Sequence, residues 1–133
     1  MNPKELKVVF GEKYKIGVEH KGFTVWTDQP VRDGGDNTAP SPFDFFLVSL
    51  AACAGYYALA FCKERQIPTD GLGVTMATER GEASKMIDKI TITVDVPAGF
   101  PEKYRFALLK AVDHCTVKAH MMRPPQFEVV ARP

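Results

Sequence analysis

The chain predicts an α+β fold, and three observations carry that reading. Short apolar/polar alternations cluster at the start, one long uncharged apolar stretch follows them, and two further alternating runs precede an amphipathic helix. Strands that come in groups, rather than alternating strictly with helices, indicate separate sheets packed on helices. The expected order is βββ-α-ββ-α-β. At 133 residues the chain is expected to form a single domain, 1–133, large enough for a real core.

Leu6 to Phe10, Tyr14 to Glu19 and Phe23 to Thr27 each place apolar residues at every second position, with Gly11-Glu12 and His20-Lys21-Gly22 as turns. This is an antiparallel meander with one apolar face. Trp26 points to the other face, where it could line a pocket or pack as an ordinary anchor. From Asp28 to Pro42 the density of Pro, Gly, Asn and Asp excludes a periodic element. A loop of about fourteen residues is near the length at which structureless connections tend to serve function. Arg32 is its only positive charge.

Pro42 to Cys62 carries no charge after Asp44, so the stretch reads as a helix apolar on all sides and therefore buried on all sides. Ser41 and Pro42 supply an N-cap and a first-turn proline, while Lys63 and Arg65 suit the C-terminal end and Pro68 blocks continuation. Phe45 to Cys62, about eighteen residues, reaches the lower limit for a membrane span. Its middle is Ala and Gly rather than Leu and Ile, and its flanks read as strands, so a core helix is expected and no membrane partner. Covering such a helix from every side strains a chain of this size, which suggests a homodimer sharing a core.

Gly71 to Thr78 and Ile87 to Val96 read as a hairpin joined by Glu79 to Lys85. Pro101 then opens a helix to about His114 with Phe106, Leu109 and Val112 as its buried stripe, and Cys115 ends or interrupts it. A helical turn to about Met122 follows. Pro124-Pro125 breaks it, and Phe127 to Ala131 is expected as a final strand.

Seventeen basic and sixteen acidic residues leave a net charge of +1, which points to neither a nucleic-acid partner nor an acidic tail. Three cysteines and a start without an apolar run fit a reducing cytoplasm, where a disulfide would be transient chemistry. Cys53 and Cys62 are half a turn out of phase and about 13 Å apart along a helix, so they cannot pair within it. A partner thiol for Cys53 within the chain would have to be Cys115. His114, Cys115 and His120 lack the i, i+4 spacing that sets two ligands on one helix face, so no metal and no cofactor is expected.

Thr27-Asp28-Gln29-Pro30, Gly34-Gly35, Ser41-Pro42 leading to Leu50-Ala51-Ala52-Cys53, and the later His114-Cys115 with Pro124-Pro125 resemble the OsmC/Ohr family of osmotically inducible proteins and organic hydroperoxide reductases. The resemblance spans nearly the whole chain. It implies an intertwined homodimer and a cysteine peroxidase acting on organic hydroperoxides in oxidative-stress defence. Cys53 matches the peroxidatic position and Cys115 the resolving one; Cys62 matches neither. A dithiol, lipoylated protein in the reductase branch, would reduce the resulting disulfide.

An ordinary thiol needs a nearby cation or helix N-terminus to ionise near neutral pH. Cys53 lies about three turns inside its own helix, beyond the reach of that helix's dipole. An arginine from elsewhere is therefore expected, Arg32 first, with Arg123 and Arg105 behind it. Phe43 stands where the reductase branch has the glutamate that orients the arginine, and Asp44 comes one residue later, facing away from Cys53. That departure places the chain with the broader OsmC-like group. The rival reading is a non-catalytic protein holding an apolar small molecule at the dimer boundary, in a pocket built from Tyr56, Tyr57 and Trp26, with Phe43 and Asp44 at its edge.

Overall fold

The computed structural model describes residues 4–133. The chain divides into two compact units, Met1–Val48 and Ser49–Pro133. In the first, β1 (Lys7–Phe10), β2 (Ile16–His20) and β3 (Phe23–Thr27) form the expected antiparallel meander in the order β1-β2-β3. Val8 pairs with Val18, and Val18 with Val25, which sets the apolar residues on one face. That face is not covered: Val8, Phe10, Phe23 and Val25 are all exposed. On the other face Trp26 lies opposite Gly17, where a β-carbon would come within 3.1 Å of the indole. The glycine is what lets the ring lie across β2.

The connection after β3 is more ordered than its composition suggests. The buried Asp28 carboxylate accepts from the Gln29 amide at 2.8 Å, the Thr38 amide at 3.0 Å and the Thr38 hydroxyl at 2.6 Å. Backbone bonds from Asp28 to Pro40 and from Asn37 to Gln29 close the same loop. Lys13 and Lys15 both clasp Asp36 at 2.7 Å. Sequence composition predicts a loop here and cannot show that a single carboxylate staples it.

α1 spans Pro42–Glu64. Its start is a reciprocal cap: Asp44 N donates to Ser41 Oγ at 3.2 Å and Ser41 N donates to Asp44 Oδ2 at 3.0 Å. By length and composition this helix could cross a membrane.

In the second unit β4 (Gly73–Arg80) and β5 (Ile87–Asp95) form an antiparallel hairpin with an irregularity at Glu79/Arg80. A 3-10 turn, Glu102–Tyr104, leads into α2 (Arg105–Asp113), and α3 (Thr116–Met122) follows. Ala54, Ala58, Phe61 and Cys62 of α1 join Phe100, Leu108 and Val112 in the core, with Val74, Ile92 and Val94 of the hairpin packed against them.

Within the single chain α1 leaves Val48, Ala52, Tyr56, Leu59 and Lys63 as an exposed stripe at helical spacing. Two expectations are corrected. The buried stripe of α2 is Leu108 and Val112, whereas Phe106 is 71% and Leu109 50% exposed. Both registers satisfy a 3.6-residue period, and the core cluster takes in Leu108 and Val112. Phe127 to Ala131 forms no hydrogen-bonded strand, and Val129 is 96% exposed. Its alternation is a local property, but a strand exists only where a neighbour supplies the ladder.

Candidate active site

The second unit brings two of its thiols together. Cys53 projects from the middle of α1, and Cys115 sits between α2 and α3 as the N-cap of α3. That cap is made by sulfur: Lys118 N donates to Cys115 Sγ at 3.4 Å. Cys53 and Cys115 act on each other as neighbouring side chains, Cys115 lowering Cys53 and Cys53 raising Cys115, and both remain free thiols. Spacing alone left open whether the two residues are neighbours; the fold brings them near one another.

Burial pushes the Cys53 thiol up, but the Cys115 hydrogen bond and the backbone amides of Val117 and Thr116 outweigh it and hold Cys53 below the ordinary thiol value. Burial raises Cys115, and donating to Cys53 raises it further. The pair is thus asymmetric, with Cys53 the sulfur set to carry negative charge and Cys115 the one set to keep its proton. Cys62 is a third case. It is fully buried on the opposite face of α1, and its burial raises it against a weaker pull from Arg65.

The sequence reading looked for an arginine and missed the amides. The first two residues of α3, Thr116 and Val117, present their N–H groups to Cys53, and Tyr57 Oη shares a 3.0 Å hydrogen bond with Thr116 Oγ1. Tyr57 thereby ties α1 to the start of α3 at the sulfur pair. The signal in the sequence was the short helical turn after Cys115, whose free first-turn donors need partners.

The remaining predicted residues are distributed as follows. Arg32 lies in a 3-10 turn of the first unit, Val31–Asp33, 85% exposed and 3.8 Å from the Asp33 carboxylate. Arg105 pairs with Glu102 at 3.0 Å. Arg123 caps the C-terminal end of α3, about 10 Å along the axis from the end that meets Cys53. Tyr56 stands edge-on to Tyr57 at 5.2 Å and is exposed. Phe43 stacks on Phe46 at 5.5 Å, Asp44 serves the α1 cap, and Trp26 packs on its own sheet; these three belong to the first unit. His120 Nδ1 is 2.8 Å from the Thr116 carbonyl, and among the described residues no cluster of His, Cys, Asp and Glu is arranged to hold a metal.

A groove of about 460 Å³ opens beside the pair. It runs between β5, α2 and α3 and is walled by Ile90, Ile92, Leu109, Met121 and Met122, with Cys115 among its lining residues and Cys53 outside it.

No curated protein matches the chain significantly. Among solved structures, it is similar to a protein assigned to the osmotic stress and detoxification response of Psychrobacter arcticus 273-4, with TM-score 0.72, 18% identity, and 90% of this chain and 88% of that one covered. An OsmC-like protein from Mycoplasma pneumoniae aligns with TM-score 0.67 and 16% identity over 92% and 89% of the two chains. An organic hydroperoxide resistance protein OsmC from Legionella pneumophila aligns with TM-score 0.56 and 14% identity over 91% and 90%. These likenesses establish a shared fold. The model of the OsmC-like protein family matches residues 34–130, a stretch that holds α1, the hairpin and both sulfurs of the pair, and the chain therefore belongs to the OsmC-like family.

Proposed function

We propose that the protein is a thiol-dependent peroxidase for organic hydroperoxides. Membership of a family that includes hydroperoxide resistance proteins supports a redox, stress-related role. The observation that carries the finer reading is the asymmetric thiol pair, in which Cys53 is lowered while its neighbour Cys115 keeps its proton.

In this reading the Cys53 thiolate attacks the distal peroxide oxygen. The O–O bond breaks, the alkoxide leaves and takes a proton to become an alcohol, and Cys53 becomes a sulfenic acid. Cys115 then attacks the sulfenic sulfur, water departs, and a Cys53–Cys115 disulfide forms. A dithiol such as a lipoylated protein returns both electrons.

A homodimer belongs to the same proposal. Two surfaces support it: the apolar face of the meander and the Val48, Ala52, Tyr56, Leu59 stripe of α1, both exposed in a single chain.

The test is one equivalent of cumene hydroperoxide followed by peptide mass spectrometry. A Cys53–Cys115 disulfide is expected, and Cys53→Ser should abolish peroxide consumption. Thiols that stay reduced in the presence of peroxide would instead favour an apolar-ligand carrier.

A further inference from the structure

We propose that Tyr57 is a positioning residue for closure of the Cys53–Cys115 disulfide: its hydroxyl, held to Thr116, keeps the segment that carries Cys115 against the helix that carries Cys53. The inference rests on the peroxidase reading above and adds to it what sets the rate of the resolving step.

Tyr57 follows Cys53 by four residues in α1, so the two side chains leave the same face of the helix one turn apart. Thr116 follows Cys115 directly and opens α3. The 3.0 Å hydrogen bond between Tyr57 Oη and Thr116 Oγ1 therefore links α1 to α3 one turn from the first sulfur and one residue from the second. A phenol suits such a link, because a rigid ring with only two side-chain torsions spans a gap that a flexible chain would hold loosely.

Burial makes the link matter. Cys115 is only 2% exposed and Cys53 is half-buried, so neither sulfur searches through open solvent for the other. Cys115 Sγ accepts from Lys118 N at 3.4 Å, and the Asp113–Lys118 ion pair spans the joint between α2 and α3. Those contacts hold Cys115 within its own segment without fixing that segment to α1. The bond between Tyr57 and Thr116 does so.

In the resolving step the Cys115 sulfur attacks the sulfur of the Cys53 sulfenic acid. An S–S bond forms, the S–O bond breaks, and the hydroxide leaves as water with the thiol proton of Cys115. Two groups held in place react at a high effective concentration, and a small displacement of either lowers it. Loss of the Tyr57 hydroxyl therefore slows closure and lengthens the life of the sulfenic acid while both sulfurs stay in the chain.

The experiment treats the full chain with one equivalent of cumene hydroperoxide in the presence of dimedone, which traps sulfenic acid, at a concentration where the wild type yields both products. Peptide mass spectrometry reads the ratio of dimedone adduct on Cys53 to Cys53–Cys115 disulfide, which is independent of how fast the sulfenic acid forms. The ratio should rise about threefold in Tyr57→Phe and in Thr116→Val, the size expected for one partly solvated hydrogen bond. The double variant should be no worse than either single one, and Thr116→Ser, which keeps the hydroxyl, should bring the ratio back toward the wild-type value. An unchanged ratio in either single variant, effects that multiply in the double variant, or a ratio in Thr116→Ser as high as in Thr116→Val would overturn the proposal. Wild-type protein that forms neither adduct nor disulfide would overturn the proposed function itself, and this inference with it.

Discussion

Replacing Leu108 by alanine tests the packing that delivers Cys115. Leu108 is the largest of the fully buried side chains, set among Ala54, Ala58, Phe61 and Val112, and α2 is only nine residues long. Two small alanines on the facing helix leave little that could collapse into the hole, so the loss should be near the middle of the Leu→Ala range, about 3 kcal/mol. For a domain of this size that corresponds to a fall in Tm of about 12 °C. The control is Phe106→Ala. That ring is 71% exposed, with the Lys110 ammonium 5.3 Å from its centre, and its removal should cost under about 1 kcal/mol. Urea melts of the two variants at one protein concentration make the comparison. Equal losses, or a larger loss for Phe106→Ala, would refute the observed phase of α2 and return the helix to the register its Phe106, Leu109, Val112 spacing suggests.

Three further outcomes are expected. In Cys115→Ala the Cys53 thiol loses a donor and its pKa rises, so iodoacetamide labelling of the Cys53 peptide should need higher pH than in the wild type; an unchanged profile would assign the lowering to the Thr116 and Val117 amides alone. Ser41→Ala removes one half of the reciprocal cap at the start of α1 and should cost about 1 kcal/mol in a urea melt, with no measurable loss counting against a stabilising role for the cap. Asp28 is held well below the usual carboxylate range, first by the Thr38 hydroxyl and amide, so the unfolded chain takes up its proton at higher pH than the folded one. Its contribution is complete above about pH 4 and fades as the solution is made more acid; Asp28→Asn should flatten that acid limb, and an unaltered limb would show that other carboxylates set it.

What the sequence made legible was local. Ser41-Pro42 marked the start of α1 because a cap is written in neighbouring residues, and β3 could be bounded because its alternation ends at turn residues on both sides. Where a feature depends on something distant, the pattern was ambiguous. Leu108 and Phe106 both lie on helical stripes, and only contact with Ala54 and Ala58 decides which is inside. Phe127 to Ala131 alternates like a strand, yet among the described residues no strand pairs with it. Asp28 could be read as one more turn residue until the loop closed over it and made its carboxylate the acceptor for three donors.

The thiol pair shows the same distinction at the level of chemistry. A reading confined to α1 found Cys53 too deep for that helix's own dipole and so looked for an arginine. The structure supplies a different helix, whose first amides face Cys53 because its N-cap is Cys115. One residue therefore does two things: its sulfur stands beside Cys53, and its position as cap fixes where the Thr116 and Val117 amides point. Moving Cys115 by a single residue along the chain would displace the partner sulfur and the amides together. This coupling makes the short segment after α2 a constraint on the reactivity of Cys53, although more than sixty positions separate it from that sulfur in the chain.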